Sequence, residues 1–394
     1  MLTKDIHQIT KADIDELILD QREESKTLEF KRELNFNDSA KRELACDIAS
    51  FANASGGDLL FGVDEQRDAE GKRLGYAGKA NGISCQNFDE LRQRLENFLR
   101  DAIEPPIPGL AFQEVAGFED GSVVIVRIPE SWIAPHLVKY GNKPQFYARN
   151  TGGKFALDSH EIRAAFLAND GRAKQLLDFC DRRVGLITAA ELPAKIDTDD
   201  RIKIATHVLP VLRRTERTLS ASQMVSTDLS VPMRSGVGWN HRFNLDGYLA
   251  YDGLSYSLLF RSGGTEAVFT TPTLTMENVS AFYGSRVEQG VIDSTIICLK
   301  AIRKCEIPGP YSVHVALVNT KGTRIVQHKD YFPREPHTID RSVVILPQLL
   351  LEEPVGNINI PEFLKPAFDV LWQASGWQSS PSYDDQGKWT GRNN

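Results

Sequence analysis

A glycine pair, Gly56 and Gly57, is the feature that most constrains the fold of this 394-residue chain. Residues 40–52 before it carry apolar side chains at helical spacing, and residues 59–63 after it form a short apolar run. Two adjacent glycines stop a helix, and a brief apolar run after them is typical of a buried strand. The sequence therefore predicts a helix, a glycine turn and a strand that ends at two acids, Asp64 and Glu65.

A second stretch, residues 24–31, brings further charged groups to a strand. Side chains alternate between the two faces of a strand, so Glu29 and Lys31 share one face while the apolar residues beside them face a core. Glu24 has the wrong spacing to join Glu29 on a regular strand. We expect it in the preceding turn, with its carboxylate folded back toward Glu29. Acids that converge from two strands are candidate ligands of a divalent metal ion.

Three sequence motifs occur in order. Residues 24–31 read E-S-K-T-L-E-F-K, residues 50–57 read S-F-A-N-A-S-G-G, and residues 61–65 read F-G-V-D-E. Together they resemble the signature of the Schlafen-type AlbA-like domain, whose closing strands have similar counterparts at residues 135–137 and 146–150. The resemblance covers residues 24–167. It implies a mixed α/β AlbA-like domain there. Strand-like and helical stretches beyond about residue 200 predict a second α+β domain, so the protein as a whole is predicted to be α+β.

The resemblance also implies a site of three carboxylates that hold a metal ion. Its two glutamates correspond to Glu24 and Glu29, and its third acid is one of the last two residues of the third motif. The family position points to Glu65, but this chain has Glu where Asp is usual, so Asp64 stays open as the third acid. Mg²⁺ or Mn²⁺ suits such a site, because these hard cations prefer carboxylate oxygens and keep several water ligands.

The function implied by the resemblance is metal-dependent cleavage of structured RNA, with tRNA as the first candidate, in bacterial anti-phage defence or stress. The alternative is a non-catalytic DNA-binding regulator, or a nucleotide-binding protein, that uses the same fold. Clustered carboxylates repel phosphate unless a metal ion is present. The acids at positions 24, 29 and 64 or 65 therefore favour the endoribonuclease.

The basic residues near these acids have two interpretations. Lys31 either neutralises charge on the scissile phosphate or forms a surface ion pair with Glu29. Residues 139–154 mix basic and aromatic side chains, which suits phosphate contact and base stacking. The candidate nucleic-acid-binding residues there are Lys139, Tyr140, Lys143, Tyr147, Arg149 and Lys154. The alternative is a solvated hairpin whose aromatic side chains lie in the core.

Composition and absent motifs limit the other functions. The formal net charge of −7 excludes a protein that coats nucleic acid indiscriminately, so positive charge has to be local. The sequence has no P-loop motif, and its five cysteines show no Cys-x-x-Cys spacing, which disfavours a P-loop ATPase and a structural zinc site. The first residues are unlike a secretory signal, and no apolar run reaches about eighteen residues. We therefore expect a cytoplasmic protein without a membrane partner.

The predicted domain organisation has five parts. They are an N-terminal helical arm (residues 1–22), the AlbA-like domain (23–170), a helical linker (171–200), a C-terminal α+β domain (201–378) and a mobile polar tail (379–394). By elimination, the C-terminal domain is assigned a sensing, regulatory or dimerisation role. Within it, residues 279–303 read as one amphipathic segment and residues 311–327 as a hairpin.

Vertebrate Schlafen cores carry two copies of the AlbA-like lobe in one chain and hold RNA between them. This sequence shows one copy. The resemblance therefore implies a homodimer, in which two chains rebuild the clamp around the RNA.

Overall fold

The computed structural model describes residues 2, 4–141, 143–196, 201–212, 218–230, 238–276, 278–327, 337–352 and 358–391. The chain divides into two units, Met1–Gly171 and Arg172–Asn394. Each unit contains helices and sheets, so the predicted α+β class with two domains is confirmed.

The first unit begins with a 3-10 turn at Ile6–Gln8. Its helices are α1 (Lys11–Leu19), α2 (Asp38–Ala52), α3 (Phe88–Ala102) and the start of α4 (Ser159–Thr188). Its strands are β1 (Leu28–Lys31), β2 (Gly57–Phe61), β3 (Val63–Arg67), β4 (Arg73–Ala80), β5 (Ile103–Glu104), β6 (Ala111–Phe118), β7 (Gly121–Ile128), β8 (Leu137–Val138), β9 (Gln145–Asn150) and β10 (Gly153–Ala156).

The central sheet of the first unit has the strand order β1-β2-β7-β6. β1 is parallel to β2, and the other neighbours are antiparallel. One face of this sheet packs against α2 and α3, in a core that includes Ile48 and Leu59. The other face packs against α1, in a core that includes Ile14 and Phe30. Strand β2 is buried on both faces, which explains its continuous apolar run.

The N-terminal residues predicted as a separate arm belong to this core. Ile14 and Leu17 of α1 are buried in the same cluster as Leu28 and Phe30 of β1. The backbone nitrogen of Leu2 also donates to Asp58 in β2 at 2.6 Å. An amphipathic helix that covers one face of a sheet is part of the domain, because that face would otherwise be exposed to water.

The glycine pair makes the predicted turn between α2 and β2. Gly56 has a φ of +65°, and a Cβ atom there would lie 2.6 Å from the carbonyl oxygen of Ile128. At Gly57 a Cβ atom would lie 2.5 Å from the ring of Phe51. The first glycine is thus required for left-handed backbone and for space, and the second for space alone.

Two smaller sheets complete the first unit. One has the order β10-β9-β8-β5, and the other is the antiparallel pair β3-β4. Strands β9 and β10 pack against α2, and β3 packs against β1. This packing brings the charged residues of β1, α2, β3, β9 and β10 into one region.

The second unit contains the rest of α4 and the helices α5 (Ala221–Val225), α6 (Gly284–Lys304) and α7 (Ile360–Gln373). Its strands are β11 (Arg201–Pro210), β12 (Asn240–Phe243), β13 (Gly247–Tyr251), β14 (Ser255–Phe260), β15 (Thr265–Pro272), β16 (Leu274–Met276), β17 (Val279–Tyr283), β18 (Tyr311–Val318), β19 (Thr323–Val326), β20 (Val343–Ile345) and β21 (Leu349–Leu351).

The main sheet of this unit has the order β12-β13-β14-β15-β11-β18-β20, and β21 also pairs with β18. Its core against α6 and α7 includes Phe269, Val291 and Trp372. On the other face, Val184 and Ile187 of α4 pack against the sheet. The helical part of the predicted linker is therefore integral to the second unit, because its apolar side chains cover that face. Residues 197–200 of the predicted linker lie outside the described residues.

Two predictions about elements of the second unit are wrong. The amphipathic segment at residues 279–303 is not one continuous element, because residues 279–283 form β17, which pairs with β16 and β19, and α6 follows it. Residues 311–327 are not a hairpin, because β18 pairs with β11 over eight residues while β19 pairs with β17 in a different sheet. Apolar periodicity does not specify the partner of a strand, and long-range pairing decided both cases.

The predicted mobile tail is packed through residue 391. The side chains of Ser380 and Ser382 are buried and donate to the carboxylate of Glu288 in α6. Trp389 packs edge-on against Tyr383 at 5.0 Å between ring centroids. Polar composition suggested mobility, but here the hydroxyl groups are partners of a buried acid. Residues 392–394 of the predicted tail lie outside the described residues.

Candidate active site

β1 presents Glu29 and Lys31 on the side that faces α2, as the strand alternation predicts. The Lys31 Nζ lies 2.9 Å from Glu29 Oε1, 2.9 Å from Glu43 Oε1 and 3.1 Å from Asp47 Oδ2. Burial alone would lower the pKa of Lys31, but Asp47 and Glu29 outweigh it and raise this pKa. Lys31 therefore stays protonated, inside a cluster of carboxylates.

Asp47 is the buried centre of this cluster. Its side chain is 1% exposed, and its Oδ1 lies 2.6 Å from the Nζ of Lys154 in β10. Burial and the nearby Glu29 raise the pKa of Asp47. Two lysines, from β1 and β10, thus offset one acid that α2 holds inside the domain.

Glu29 pairs with two cations. The Arg149 guanidinium contacts Glu29 Oε2, and Lys31 contacts its other oxygen. Burial alone would raise the pKa of Glu29, but Lys31 and Arg149 together hold this pKa below its usual value. The Arg149 guanidinium also stacks over the ring of Phe51 at 4.0 Å, which fixes its position. Glu29 is consequently a carboxylate that stays ionised.

Glu24 folds back onto β1, where its Oε1 accepts a hydrogen bond from the Phe30 backbone nitrogen at 2.8 Å. Burial, helped by the carboxylates of Glu65 and Glu29, outweighs that hydrogen bond and raises the pKa of Glu24 to about 7. Glu29 and Glu65 are therefore both near enough to Glu24 to influence its charge. We call these three residues the acid trio.

Asp64 and Glu65 have different partners. Arg73 Nη1 donates to Glu65 Oε1 at 3.0 Å. Asp64 lies between Arg32 and Arg67, with nitrogen–oxygen distances of 3.8 and 3.9 Å. Glu65 is one of the groups that raise the pKa of Glu24. The two acids therefore differ in their arginine partners, and Glu65 is the one that the electrostatics link to Glu24.

The acid trio has the type of oxygen ligand that a hard cation prefers, but its side chains are not arranged to hold one. Carboxylate oxygens are the ligands that Mg²⁺ and Mn²⁺ prefer, and burial together with the nearby carboxylates raises the pKa of Glu24. However, within the described part of the chain, no group of three or more His, Cys, Asp or Glu side chains is arranged to hold a metal ion. Lys31, Arg149 and Arg73 already pair with two of the three acids.

The predicted nucleic-acid-binding residues fall into two groups. Lys139 and Lys143 are exposed, and Lys139 lies 3.5 Å from Glu104. Arg149 and Lys154 are not on an exposed hairpin, because each turns inward to an acid of the cluster.

The two aromatic residues of the same prediction pack against the core. Tyr140 meets the ring of Phe98 at 5.3 Å between centroids, and its hydroxyl donates to Asp38 at 2.8 Å. Tyr147 packs against the core of α2 and α3, and its hydroxyl donates to Gln145. Neither ring is an open stacking surface, because both rings pack against apolar side chains of the helices.

Several residues of the site are absent from the sequence-based predictions. Asp47 and Glu43 lie on α2, and Arg32, Arg67 and Arg73 surround Asp64 and Glu65. Asp47 had a signal in the sequence, because it is a charged residue within the apolar stripe of a helix. The arginines had no such signal, since surface arginines are common.

Residues 24–158 match the model of the Schlafen AlbA_2 family. The resemblance is thereby confirmed, and this part of the chain is a Schlafen AlbA_2 domain. No curated protein matches the chain. In the described residues, no helix is both long and apolar enough to cross a membrane.

Two solved structures are similar to the chain over 37% of its length. One is the N-terminal domain of an ATP-dependent DNA helicase RecG-related protein from Nitrosomonas europaea, with 22% identity, 93% of that chain covered and a TM-score of 0.27. The other is the DIP2311 protein from Corynebacterium diphtheriae, with 17% identity, 26% of that chain covered and a TM-score of 0.24. The family assignment rests on the match at residues 24–158 and not on these structures.

Proposed function

We propose that this protein is a metal-dependent endoribonuclease that cleaves structured RNA, with tRNA as the first candidate substrate and Mg²⁺ or Mn²⁺ as its cofactor. The observation that supports this proposal is that the carboxylates of Glu29 and Glu65 both lie near enough to Glu24 to raise its pKa. Carboxylates in this relationship repel a phosphate by themselves and attract it through a cation. A cytoplasmic defence or stress effector that halts translation is the role this activity would serve.

Each residue of the acid trio has a separate task in the proposal. Glu29 stays ionised because Lys31 and Arg149 hold its pKa low, so it supplies a permanent negative oxygen. Glu24 and Glu65 supply the other oxygens, and Glu24 loses its proton readily once a cation is near. A bound Mg²⁺ or Mn²⁺ would polarise the scissile phosphate and activate a water molecule. Lys31 lines the adjacent cleft, so its positive charge would face a phosphate bound there.

The test is cleavage of total tRNA and of a DNA duplex by the full chain with Mn²⁺, Mg²⁺ or EDTA. We expect discrete metal-dependent tRNA fragments that disappear in Glu29→Gln. The matched control is Glu119→Gln, which removes an exposed acid paired with Lys79 at the turn between β6 and β7. Intact tRNA with every metal ion, or equal cleavage by wild type and Glu29→Gln, would contradict the proposal.

A second candidate function is nucleic-acid binding without catalysis, as in a DNA-binding regulator or a nucleotide-binding protein. It is favoured by the ion pairs of Glu29, which occupy both of its oxygens with cations of the chain. In that case Glu29→Gln binds RNA or DNA as well as the wild type does, and no metal ion produces fragments.

The homodimer belongs to the same proposal. One AlbA-like domain per chain supplies half of the clamp that two lobes form, so two chains are expected to bind one RNA. Light scattering of the active protein measures this directly. A stable monomer with full cleavage activity would exclude the dimer and leave the nuclease intact.

A further inference from the structure

A cleft of about 390 Å³ lies beside the acid trio in the first unit. Its lining includes Lys31 and Arg32 from the end of β1, Glu65 from β3, and two arginines of the β3–β4 hairpin, Arg67 and Arg73. The three arginine side chains are 60%, 43% and 61% exposed, in sequence order. Guanidinium groups are therefore open to a ligand in this cleft.

Arg67 and Arg73 lie directly opposite each other in the β3–β4 ladder. Like charges at such positions repel, because the Cβ atoms of facing residues are only about 5 Å apart. An anion between the two guanidinium groups would convert this repulsion into attraction. The pairing therefore suits a site that is completed by a negatively charged ligand.

The acids near these arginines do not use up their hydrogen-bonding capacity. Asp64 is 3.8 Å from Arg32 and 3.9 Å from Arg67, distances too long for hydrogen bonds. Only the Arg73–Glu65 contact, at 3.0 Å, is a hydrogen bond between side chains. The lining of the whole cleft carries five acids and four basic side chains, so the positive charge offered to a ligand is local to these three guanidinium groups. Ion pairs as long as 3.8 and 3.9 Å are weak and are readily replaced by a phosphate.

We propose that Arg32, Arg67 and Arg73 form a subsite for a backbone phosphate of a nucleic-acid strand, next to the acid trio. The proposal rests on the proposed function for the identity of the ligand. A guanidinium group binds phosphate through two parallel hydrogen bonds, which a lysine cannot do.

The experiment measures binding of a labelled tRNA to the full chain in EDTA, so that cleavage does not interfere, over a range of salt concentrations. We expect Arg67→Gln and Arg73→Gln each to weaken binding about tenfold. Each should also reduce the salt slope, which is the slope of the logarithm of the binding constant against the logarithm of the salt concentration, by about one. Arg73→Lys keeps the positive charge but cannot make the two parallel hydrogen bonds of a guanidinium group. This variant should therefore retain most of the salt slope and only part of the affinity.

The matched control is Arg92→Gln on α3. Arg92 is 48% exposed and lies 3.6 and 3.9 Å from two acids, so it resembles the subsite arginines but does not line the cleft. We expect its affinity and salt slope to equal those of the wild type. Circular dichroism of each variant checks that the fold is retained.

Each outcome decides a different point. Unchanged binding in Arg67→Gln and Arg73→Gln, or no binding of any nucleic acid by the wild type, would overturn the subsite. Lost binding in these variants, without metal-dependent cleavage by the wild type, would keep the subsite and reject the nuclease. A DNA duplex and inorganic phosphate as competitors show whether the strand has to be RNA and whether a single phosphate is enough.

Discussion

Lys154 Nζ lies 2.6 Å from Asp47 Oδ1, although 107 residues of sequence separate the two side chains. The acid is buried in α2 and the lysine comes from β10, so the pair joins the last strand of the AlbA-like domain to its central helix. The same acid contacts Lys31 of β1. One buried carboxylate therefore links three elements that lie far apart in the sequence.

Replacing Asp47 with Asn should destabilise the first unit by about 3 kcal/mol, because removing one partner of a buried ion pair leaves the other charge without compensation. Hydrogen exchange of the β2 and β7 amides measures this loss within the unit. The control is Glu43→Gln, which removes a half-exposed acid that contacts the same two lysines and should cost under about 1 kcal/mol. Equal effects of the two changes would show that burial of Asp47 is not what matters.

Replacing Gly56 with Ala should cost about 3 kcal/mol, from the left-handed backbone and from the clash with the Ile128 carbonyl. Gly75 separates these two causes, because its φ is +75° and no atom lies within 4 Å of a Cβ placed there. We expect Gly75→Ala to cost about 1 kcal/mol. Chemical denaturation of both variants tests the difference, and similar losses would mean that the close approach to Ile128 relaxes easily.

Replacing Arg183 with Met should destabilise the second unit by about 3 kcal/mol at pH 7, because it leaves Glu266 buried with His207 and Tyr256 but without its guanidinium. Burial would raise the pKa of Glu266, but hydrogen bonds from Arg183 and His207 outweigh it and hold this pKa at about 2.

A carboxyl with a lowered folded pKa stabilises above its unfolded pKa and loses that contribution as the pH falls. The deficit of Arg183→Met should therefore shrink between about pH 4.5 and pH 2. Thermal unfolding at several pH values measures it. The neighbouring exposed Arg182→Met is the control, and it should behave like the wild type.

Glu288 should make the second unit less stable as the pH rises toward 7. Burial raises its pKa from 4.5 to about 7, so the folded state binds a proton that the unfolded state has released. Stability from this group is complete below about pH 4.5 and falls by about 3 kcal/mol by pH 7. Glu288→Gln should remove this fall, as measured by urea unfolding between pH 5 and pH 8. An unchanged pH profile in the variant would show that another group is responsible.

The tail should be released when the hydrogen bonds to Glu288 are removed. Ser380 and Ser382 both donate to this acid, which also accepts from Trp372 Nε1 at 2.8 Å. We expect Ser380→Ala with Ser382→Ala to expose the tail to limited proteolysis and to lower stability by about 2 kcal/mol, because a buried carboxylate loses two donors. Ser379→Ala, at an exposed position, is the control.

Local patterns predicted much of the first unit. The glycine pair placed the end of α2 and the start of β2, and strand alternation placed Glu29 and Lys31 on one face. These features follow from backbone conformation and from side-chain periodicity, which act over a few residues. The motifs at residues 24–31, 50–57 and 61–65 identified the AlbA_2 domain for the same reason.

The sequence by itself thus determined α2, the strands β1 and β2, and the candidate acids. Only the tertiary structure decided that Glu65 lies near enough to Glu24 to raise its pKa, that Arg149 and Lys154 turn inward, and that the tail packs on Glu288. The physical reason is that ion pairs depend on the distance between side chains in the folded structure and not on their separation in the sequence. Burial makes an unpaired charge costly, and the fold selects the partner from residues that periodicity does not relate.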